Sequence, residues 1–281
     1  MNTQNNTTSV AVTEREQFLL PSMNITDCDF TSDELAEDMD GLQVSFPRVK
    51  IPSGGMLQFE IPSDDPENPD YEKNLTGIIL CNHDNYAYWP EGSEYDDNTA
   101  PLCSSTDGKQ GIGEPGGTCA TCALNRFGTG PEGRGKACKN MRMLYLLRSG
   151  EYMPIQLALP PTSLSPFREF MNQSFMIRRR ATFGSVVQIG LKKMNNGKDD
   201  YSVATFRRLY DLEGEELAQA RAYATSFKEQ IKMMLQQRAS AILEQRDTGC
   251  DYEVTEALPA NSGSQFCIAP PLDGDREALP A

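Results

Sequence analysis

Four cysteines in a glycine-rich stretch constrain the fold of this chain more than any other feature of its sequence. They follow the pattern Cys103-x15-Cys119-x2-Cys122-x15-Cys138, in which a tight Cys-x-x-Cys pair has a further thiol at the same distance on either side. The same segment, 103–138, holds nine glycines. Because glycine is the residue that loses most conformational freedom on folding, we expect this segment to form no regular helix or strand and to need a constraint other than a packed core.

Four thiolates suit a structural zinc ion, because Zn²⁺ prefers tetrahedral coordination and a closed four-sulfur site leaves no catalytic position. Binding of the metal would then supply the folding energy of the loop. The predicted Zn²⁺ ligands are Cys103, Cys119, Cys122 and Cys138. Three alternatives stay open: an iron–sulfur cluster on the same ligands, free or redox-active thiols, and a site in which the only histidine, His83, replaces one sulfur.

Charge is distributed very unevenly along the chain. The overall net charge is -14, yet residues 103–210 hold 16 lysines and arginines against seven acidic residues. Residues 1–102 hold four against 20, and residues 247–281 hold one against seven. The net charge of the whole chain hides this pattern of a basic middle segment between acidic ends. The pattern favours an anionic partner for the middle segment.

No apolar run approaches the roughly 20 residues that a membrane-spanning helix needs. The first residues also lack the basic start and apolar stretch of a secretory signal. We therefore expect a cytoplasmic protein that makes no contact with a membrane.

Composition and hydrophobic patterning divide the chain into four parts. Segments 42–51, 56–61, 75–81 and 85–89 predict four short strands, which is typical of a small barrel or sandwich. Two hairpins are expected around Ser149-Gly150 and 195–197, and a short helix is expected after 160 with Thr162 or Ser163 as its cap. The predicted parts are an acidic, largely disordered leader (1–40), a core (41–210), a long amphipathic helix (211–246) and an acidic flexible tail (247–281).

The amphipathic helix predicts either a cap on the barrel or a contact with another copy of the chain. Its apolar residues recur every three or four positions over 214–246. An oligomer through this helix is therefore one expectation.

Basic residues alternate with aromatic ones in the middle of the chain. Cations neutralise phosphates, and unstacked bases lie on aromatic faces, so this mixture is typical of a single-stranded nucleic-acid interface. The candidate basic residues are Arg126, Arg134, Lys136, Lys139, Arg142, Arg178, Arg179, Arg180, Lys192, Lys193 and Arg207. The candidate stacking residues are Tyr86, Tyr88, Trp89 and Phe127, of which some are expected to fill the core instead.

Four motifs over about residues 42–210 resemble single-stranded DNA-binding proteins of phage and mobile-element replication and recombination modules. They read NLTGIILCNHDNYAYW, PLCSSTDG, CATCALNRFGTGPEGRGKACKNMRMLYLL and MPIQLALPPTSLSPF. In architecture the chain is also similar to the T4-type helix-destabilising protein, which combines an OB-fold core, a structural zinc and an acidic C-terminal tail. Here four cysteines stand in place of that family's His/Cys ligand set.

The resemblance implies a fold that is mainly β with α (α+β): an OB-like β-barrel with an inserted four-cysteine zinc loop and a long C-terminal helix. It implies a non-catalytic, largely sequence-independent single-stranded DNA-binding protein of a bacterial host cell. Replication or recombination proteins would be recruited through the acidic tail. Two alternatives stay open, namely a protein–protein adaptor in recombination or host takeover, and a metal-dependent nuclease.

Overall fold

The computed structural model describes residues 17–21, 46–63, 65, 67–90 and 101–247. Within these residues one sheet of eleven strands organises the fold. The strands are β1 (Arg48–Lys50), β2 (Phe59–Ile61), β3 (Asp70–Glu72), β4 (Asn74–Tyr88), β5 (Cys103–Ser105), β6 (Gln110–Gly113), β7 (Gly117–Thr118), β8 (Lys139–Leu147), β9 (Ile155–Leu159), β10 (Ser185–Asn195) and β11 (Asp200–Asp211). The two α-helices are α1 (Pro161–Met171) and α2 (Gly214–Asp247).

The long strand β4 is the centre of the sheet. One of its edges pairs with β8 from Ile78 to Ala87, and its other edge pairs first with β10 and then, from Tyr86 onward, with β5. The sequence predicted two strands here, 75–81 and 85–89. The structure has one, because His83 and Asp84 stay extended and pair with β8.

The strand order is β3-β2-β1-β9-β8-β4-β5-β6-β7, with β10 and β11 branching from β4. All pairs are antiparallel except β1 with β9. Both predicted hairpins are present, as β8–β9 and β10–β11. The described strands do not close the sheet into a cylinder, so the fold is mixed α/β with a large open sheet, and a closed barrel is not observed.

Alternating side chains of β8 divide the core between the two faces of the sheet, as period-two geometry requires. Leu144 and Leu146 point to the face covered by α1, where they join Phe167 and Phe170. Met143, Tyr145 and Leu147 point to the opposite face, which α2 covers. The sheet is thus sandwiched between two helices, each of which buries its own apolar cluster.

Helix α1 begins directly after Pro160 and has no side-chain cap. The predicted cap, Ser163, instead lies inside the protein, where its Oγ accepts a hydrogen bond of 3.0 Å from the backbone N–H of Ala204. The helix continues into a π-helical turn, Asn172–Met176. The capping prediction was wrong because burial of α1 against β11 offered this serine a backbone donor.

Helix α2 matches the predicted 214–246 helix to within one residue. Its face of Ala220, Ala224, Phe227 and Ile231 is buried against the sheet. The ring of Phe227 meets Tyr145 edge to face at 5.4 Å between centroids. Small residues at the first two positions let the helix approach the strands closely. This apolar face is occupied within the chain, and the oligomer contact stays a prediction.

Part of the predicted leader packs against the core. Phe18 is only 4 % exposed and joins the cluster beneath α2. The backbone N–H of Leu19 donates to the Ser149 Oγ at 2.9 Å, and the Leu19 carbonyl accepts from the N–H of Gly150 at 2.9 Å. The rest of the leader and the tail from 248 onward lie outside the described residues. In the part of the chain that the structure describes, none of the helices has the length and apolarity needed to cross a bilayer.

Candidate nucleic-acid interface

The glycine-rich segment 103–138 contains three very short strands, β5 to β7, and two 3-10 turns, Ala123–Asn125 and Pro131–Gly133. The expectation of no strand at all was wrong, since β5 pairs with the end of β4. Gly113 shows why glycine is needed: its φ is +104°, and a Cβ there would lie 2.1 Å from the carbonyl oxygen of Leu102. The segment therefore folds back tightly onto the central strand.

The four cysteines of this segment line one small cavity of about 20 Å³ together with Tyr86 and Tyr88. A Cβ placed on Gly111 would lie 3.0 Å from the Cys103 sulfur and 3.7 Å from the Cys119 sulfur. Burial, followed by the nearby sulfurs, raises the pKa of the Cys138 thiol to about 11. Burial also raises the pKa of Cys119. The sequence pattern thus correctly grouped these residues.

The prediction of a structural zinc ion is contradicted. Among the residues described, no three or more His, Cys, Asp or Glu side chains form a group that could hold a metal ion. Cys103, Cys119, Cys122 and Cys138 are free thiols in the structure. The long outer spacings bring the sulfurs to a common cavity but do not arrange them as a coordinating set. The prediction of Zn²⁺ is therefore wrong.

His83 does not take the place of a sulfur. Its Nδ1 lies 2.9 Å from the Asp84 carbonyl oxygen, and its Nε2 lies 3.3 Å from the Tyr145 hydroxyl oxygen. That hydroxyl also accepts a hydrogen bond of 3.2 Å from the Gln156 amide. Both ring nitrogens of this histidine are accordingly within reach of partners in the sheet rather than beside the cysteines.

The four predicted stacking residues differ sharply in exposure. Tyr86 and Tyr88 are half-buried and face the cysteine cavity, and burial raises the pKa of Tyr86. Trp89 is half-buried. Phe127 stands apart, because 83 % of its surface is exposed. Of the four, Phe127 is therefore the side chain that presents a free aromatic face.

Phe127 lies in a loop that also carries several basic residues. The Lys136 ammonium lies 5.5 Å from the centroid of its ring and donates to the Asn125 Oδ1 at 3.0 Å. Arg126, Arg134 and Lys139 come from the same loop and the strand that follows it, and all three are exposed. We call Arg126, Phe127, Arg134, Lys136 and Lys139 the Phe127 patch.

Arg142 was predicted to bind nucleic acid but has partners within the sheet. Its Nε donates to the Asn82 Oδ1 at 2.6 Å, and its Nη1 forms an ion pair of 2.7 Å with Asp84. Both partners lie on β4, beside the β8 position of Arg142. The guanidinium therefore joins these two strands.

The arginines 178–180 were predicted as a free basic run, yet two of them converge on Asp211. Arg178 binds this carboxylate through two nitrogens, at 2.5 and 3.1 Å, and Arg180 lies 3.5 Å away. Arg208 adds a third guanidinium at 3.2 Å, and the Ser185 hydroxyl donates at 2.6 Å. The hydrogen bonds from Arg178 hold the pKa of Asp211 well below its usual range.

Arg179 differs from its neighbours. It has a positive φ of 52° and is exposed. The sequence pattern did not indicate Asp211. The one local signal is Arg208, which precedes this acid by three residues and forms an ion pair with it.

The remaining predicted cations lie on the β10–β11 hairpin. Lys192 and Arg207 are exposed, and the Arg207 guanidinium donates to the Gln188 Oε1 at 2.7 Å. Lys193 forms an ion pair of 2.6 Å with Asp200 near the tip of the hairpin. The structure thus divides most of the predicted cations among the Phe127 patch, the Asp211 cluster (Asp211 with Arg178, Arg180 and Arg208) and the hairpin. Arg142, which joins two strands, and the exposed Arg179 belong to none of these groups.

Comparison with known proteins adds no relative. No protein-family model matches the chain, and neither a curated protein nor a solved structure matches it. Support for a function consequently comes from the geometry of these surfaces and from the resemblance of the sequence motifs.

Proposed function

We propose that this chain binds single-stranded DNA without catalysing a reaction and with little sequence preference. The binding energy would come from cations on the phosphates and from an aromatic side chain beneath an unstacked base. The phage or mobile-element origin, the bacterial cytoplasm and the role in replication or recombination belong to the same proposal, and the resemblance of the motifs supports them.

The observation that carries the proposal is the Phe127 patch. A phenylalanine that is 83 % exposed gains almost nothing from the hydrophobic effect, so its position does not stabilise the fold. The Lys136 ammonium lies against its ring, and the same loop and the strand that follows it carry the exposed Arg126, Arg134 and Lys139, in a chain whose net charge is -14. An exposed aromatic face with a lysine beside it is the combination that bases and phosphates need. Duplex DNA does not offer the face of a base to such a residue.

The sheet supports the same proposal at the level of architecture. A long central strand that changes neighbours along one edge is compatible with an OB-like arrangement in which a barrel is left partly open. The OB-like fold stays part of this proposal.

The experiment is anisotropy of a labelled dT oligonucleotide with three variants. Phe127→Ala should weaken binding by about 1–2 kcal/mol, roughly five- to thirty-fold, because one stacked base is lost. Phe127→Trp should keep the affinity, since the indole offers an equal or larger face. Tyr71→Ala is the matched control, because Tyr71 is also exposed but lies on the edge strand β3.

Equal affinity for the wild type and Phe127→Ala would remove the main support for this function. A nuclease assay on the same oligonucleotide with Mg²⁺ tests the non-catalytic part. Cleavage that persists in a repurified sample would favour the metal-dependent nuclease.

A second candidate function, a protein–protein adaptor, is favoured by a different observation. Met176 ends the π-helical turn and Ile177 follows it, and they are 70 % and 77 % exposed. They precede the arginines of the Asp211 cluster, so this surface combines an apolar centre with a charged rim, as protein interfaces do. Absence of DNA binding even at low salt, with retained binding to a replication or recombination protein, would favour the adaptor.

A further inference from the structure

A second basic surface is formed by three lysines that the sequence pattern did not indicate, namely Lys109, Lys228 and Lys232. A cleft of about 950 Å³ opens between β4, the β5–β6 turn and the C-terminal half of α2. We call it the α2 cleft and define it by Lys109 and Ile112 on one wall and Lys228, Ile231, Lys232 and Leu235 on the other. It is at the upper end of the roughly 300–1,000 Å³ that ligand sites occupy.

The charge of the α2 cleft is strongly unbalanced. Its walls carry the three lysines but a single carboxylate, Asp107. The Oδ1 of Asp107 already accepts hydrogen bonds from the Ser105 hydroxyl and from the backbone N–H groups of Lys109 and Gln110, at 3.0, 2.7 and 3.1 Å. In the described part of the chain none of the three ammonium groups forms an ion pair. The cleft therefore presents a surplus of positive charge.

The fold determines the positions of the three lysines of the α2 cleft. Lys228 and Lys232 are one helical turn apart, so both lie on the same side of α2, beside the buried stripe that ends at Ile231. The Lys228 ammonium rests 5.3 Å from the centroid of the Phe183 ring. Lys109 approaches from the opposite wall, on the turn that Asp107 organises. Two walls of like charge then face each other across an open space.

The same walls are also apolar. Ile112 is half-buried on the loop side, and Leu235 is half-buried on the helix side. Two facing lysine walls repel one another unless an anion lies between them. A chain that alternates phosphates with flat apolar bases satisfies both features, whereas a free inorganic anion uses only the lysines.

From this placement we infer that a single strand of DNA runs through the α2 cleft, with its phosphates on Lys109, Lys228 and Lys232 and its bases against Ile112 and Leu235. The inference depends on the proposed function and adds to it a path for the strand that the sequence did not indicate. Helix α2, which begins immediately after the core, would form one wall of the binding site.

The test compares two charge reversals of equal size. Lys109→Glu with Lys232→Glu changes one lysine on each wall of the cleft. The control, Lys73→Glu with Arg221→Glu, lowers the net charge by the same amount at exposed positions that do not line it. Arg221 lies on the same helix, two turns before Lys228, so the helix itself is treated alike. Far-ultraviolet circular dichroism establishes that both proteins are folded.

We expect the cleft variant to bind dT oligonucleotides at least tenfold more weakly than the control at low salt. Its plot of log affinity against log salt should be shallower by about 1.4, because two phosphate contacts are lost at about 0.7 each. Photocrosslinking of the wild type to a 4-thiothymidine oligonucleotide should label peptides that contain 106–112 and 228–236. This crosslink does not depend on the folding of any variant.

Equal affinity of the two variants, or crosslinks confined to the Phe127 patch, would overturn the path while leaving the proposed function intact. Absence of wild-type binding at low salt would overturn both. Weaker binding of an acidic peptide by the cleft variant, with unchanged DNA affinity, would assign the cleft to a protein partner and so reject the inference.

Discussion

Neutralising Asp211 offers a quantitative test of the ion-pair cluster that ties β11 to the turn before β10. Only 14 % of the Asp211 side chain is exposed, and its three arginine partners are 27–35 % exposed. Fully exposed pairs contribute less than about 1 kcal/mol each, whereas breaking a buried pair costs about 3–5 kcal/mol. For three partly exposed pairs on one carboxylate we expect Asp211→Asn to cost about 2–3 kcal/mol. For a domain of this size that corresponds to a fall in Tm of about 5–10 °C.

The pH dependence of unfolding tests the role of Asp211 more specifically than the change in stability at one pH. The pKa of Asp211 is lowered in the folded protein, so its stabilisation is complete above the unfolded value of about 3.9 and is lost as the pH falls toward the folded value. Urea unfolding at pH 7 and at pH 3 should therefore show a difference between wild type and Asp211→Asn that shrinks at the lower pH. A difference that is absent at pH 7, or equal at both pH values, would show that Asp211 does not stabilise the fold through these ion pairs.

Three further predictions concern the core, the leader and the tail. Gly77→Ala should lower the free energy of unfolding in urea by about 1–3 kcal/mol, because its Cβ would lie 2.2 Å from the Leu147 carbonyl oxygen. An unchanged urea midpoint would mean that β4 and β8 are not packed so closely. Phe18→Ala should lower the free energy of unfolding by about 3 kcal/mol, since the ring is buried beneath α2. An unchanged stability would show that the leader does not contribute to the core. Deletion of 247–281 should raise the affinity for single strands at low salt only, because an acidic segment tethered at millimolar effective concentration competes with phosphates. Equal affinities of the full and the truncated chain at every salt concentration would reject this competition.

Periodicity and turn residues predicted the elements that depend on local sequence. The hairpin at 195–197 and the helix from Gly214 are present at the expected positions, because an Asn-Asn-Gly turn and an apolar repeat of three and four residues act over short distances. The break predicted inside β4 is absent, because pairing with a strand that is distant in the sequence overrides the local signal. Asp84 is of a residue type that is depleted in strands, but pairing of β4 with β8 from Ile78 to Ala87 holds His83 and Asp84 extended.

The candidate site was predictable in composition but not in geometry. Spacing indicated that the four cysteines lie together, and it did not determine how the sulfurs are arranged around their cavity. Charge counts located the basic segment, but they could not show that Arg178 and Arg180 share Asp211, which lies 33 and 31 positions away along the chain. The α2 cleft was missed because its walls come from residues 106–112 and 228–236, and only folding brings these together.

Binding to single-stranded DNA can be tested by a salt titration of the wild-type protein with a dT oligonucleotide and with a duplex of the same length. Binding through phosphate contacts and a stacked base predicts higher affinity for the single strand at every salt concentration. It also predicts a log–log slope near -0.7 for each phosphate contact, with several contacts in all. Equal or tighter binding to the duplex, or no binding to the single strand at about 50 mM salt, where phosphate contacts are strong, would contradict it.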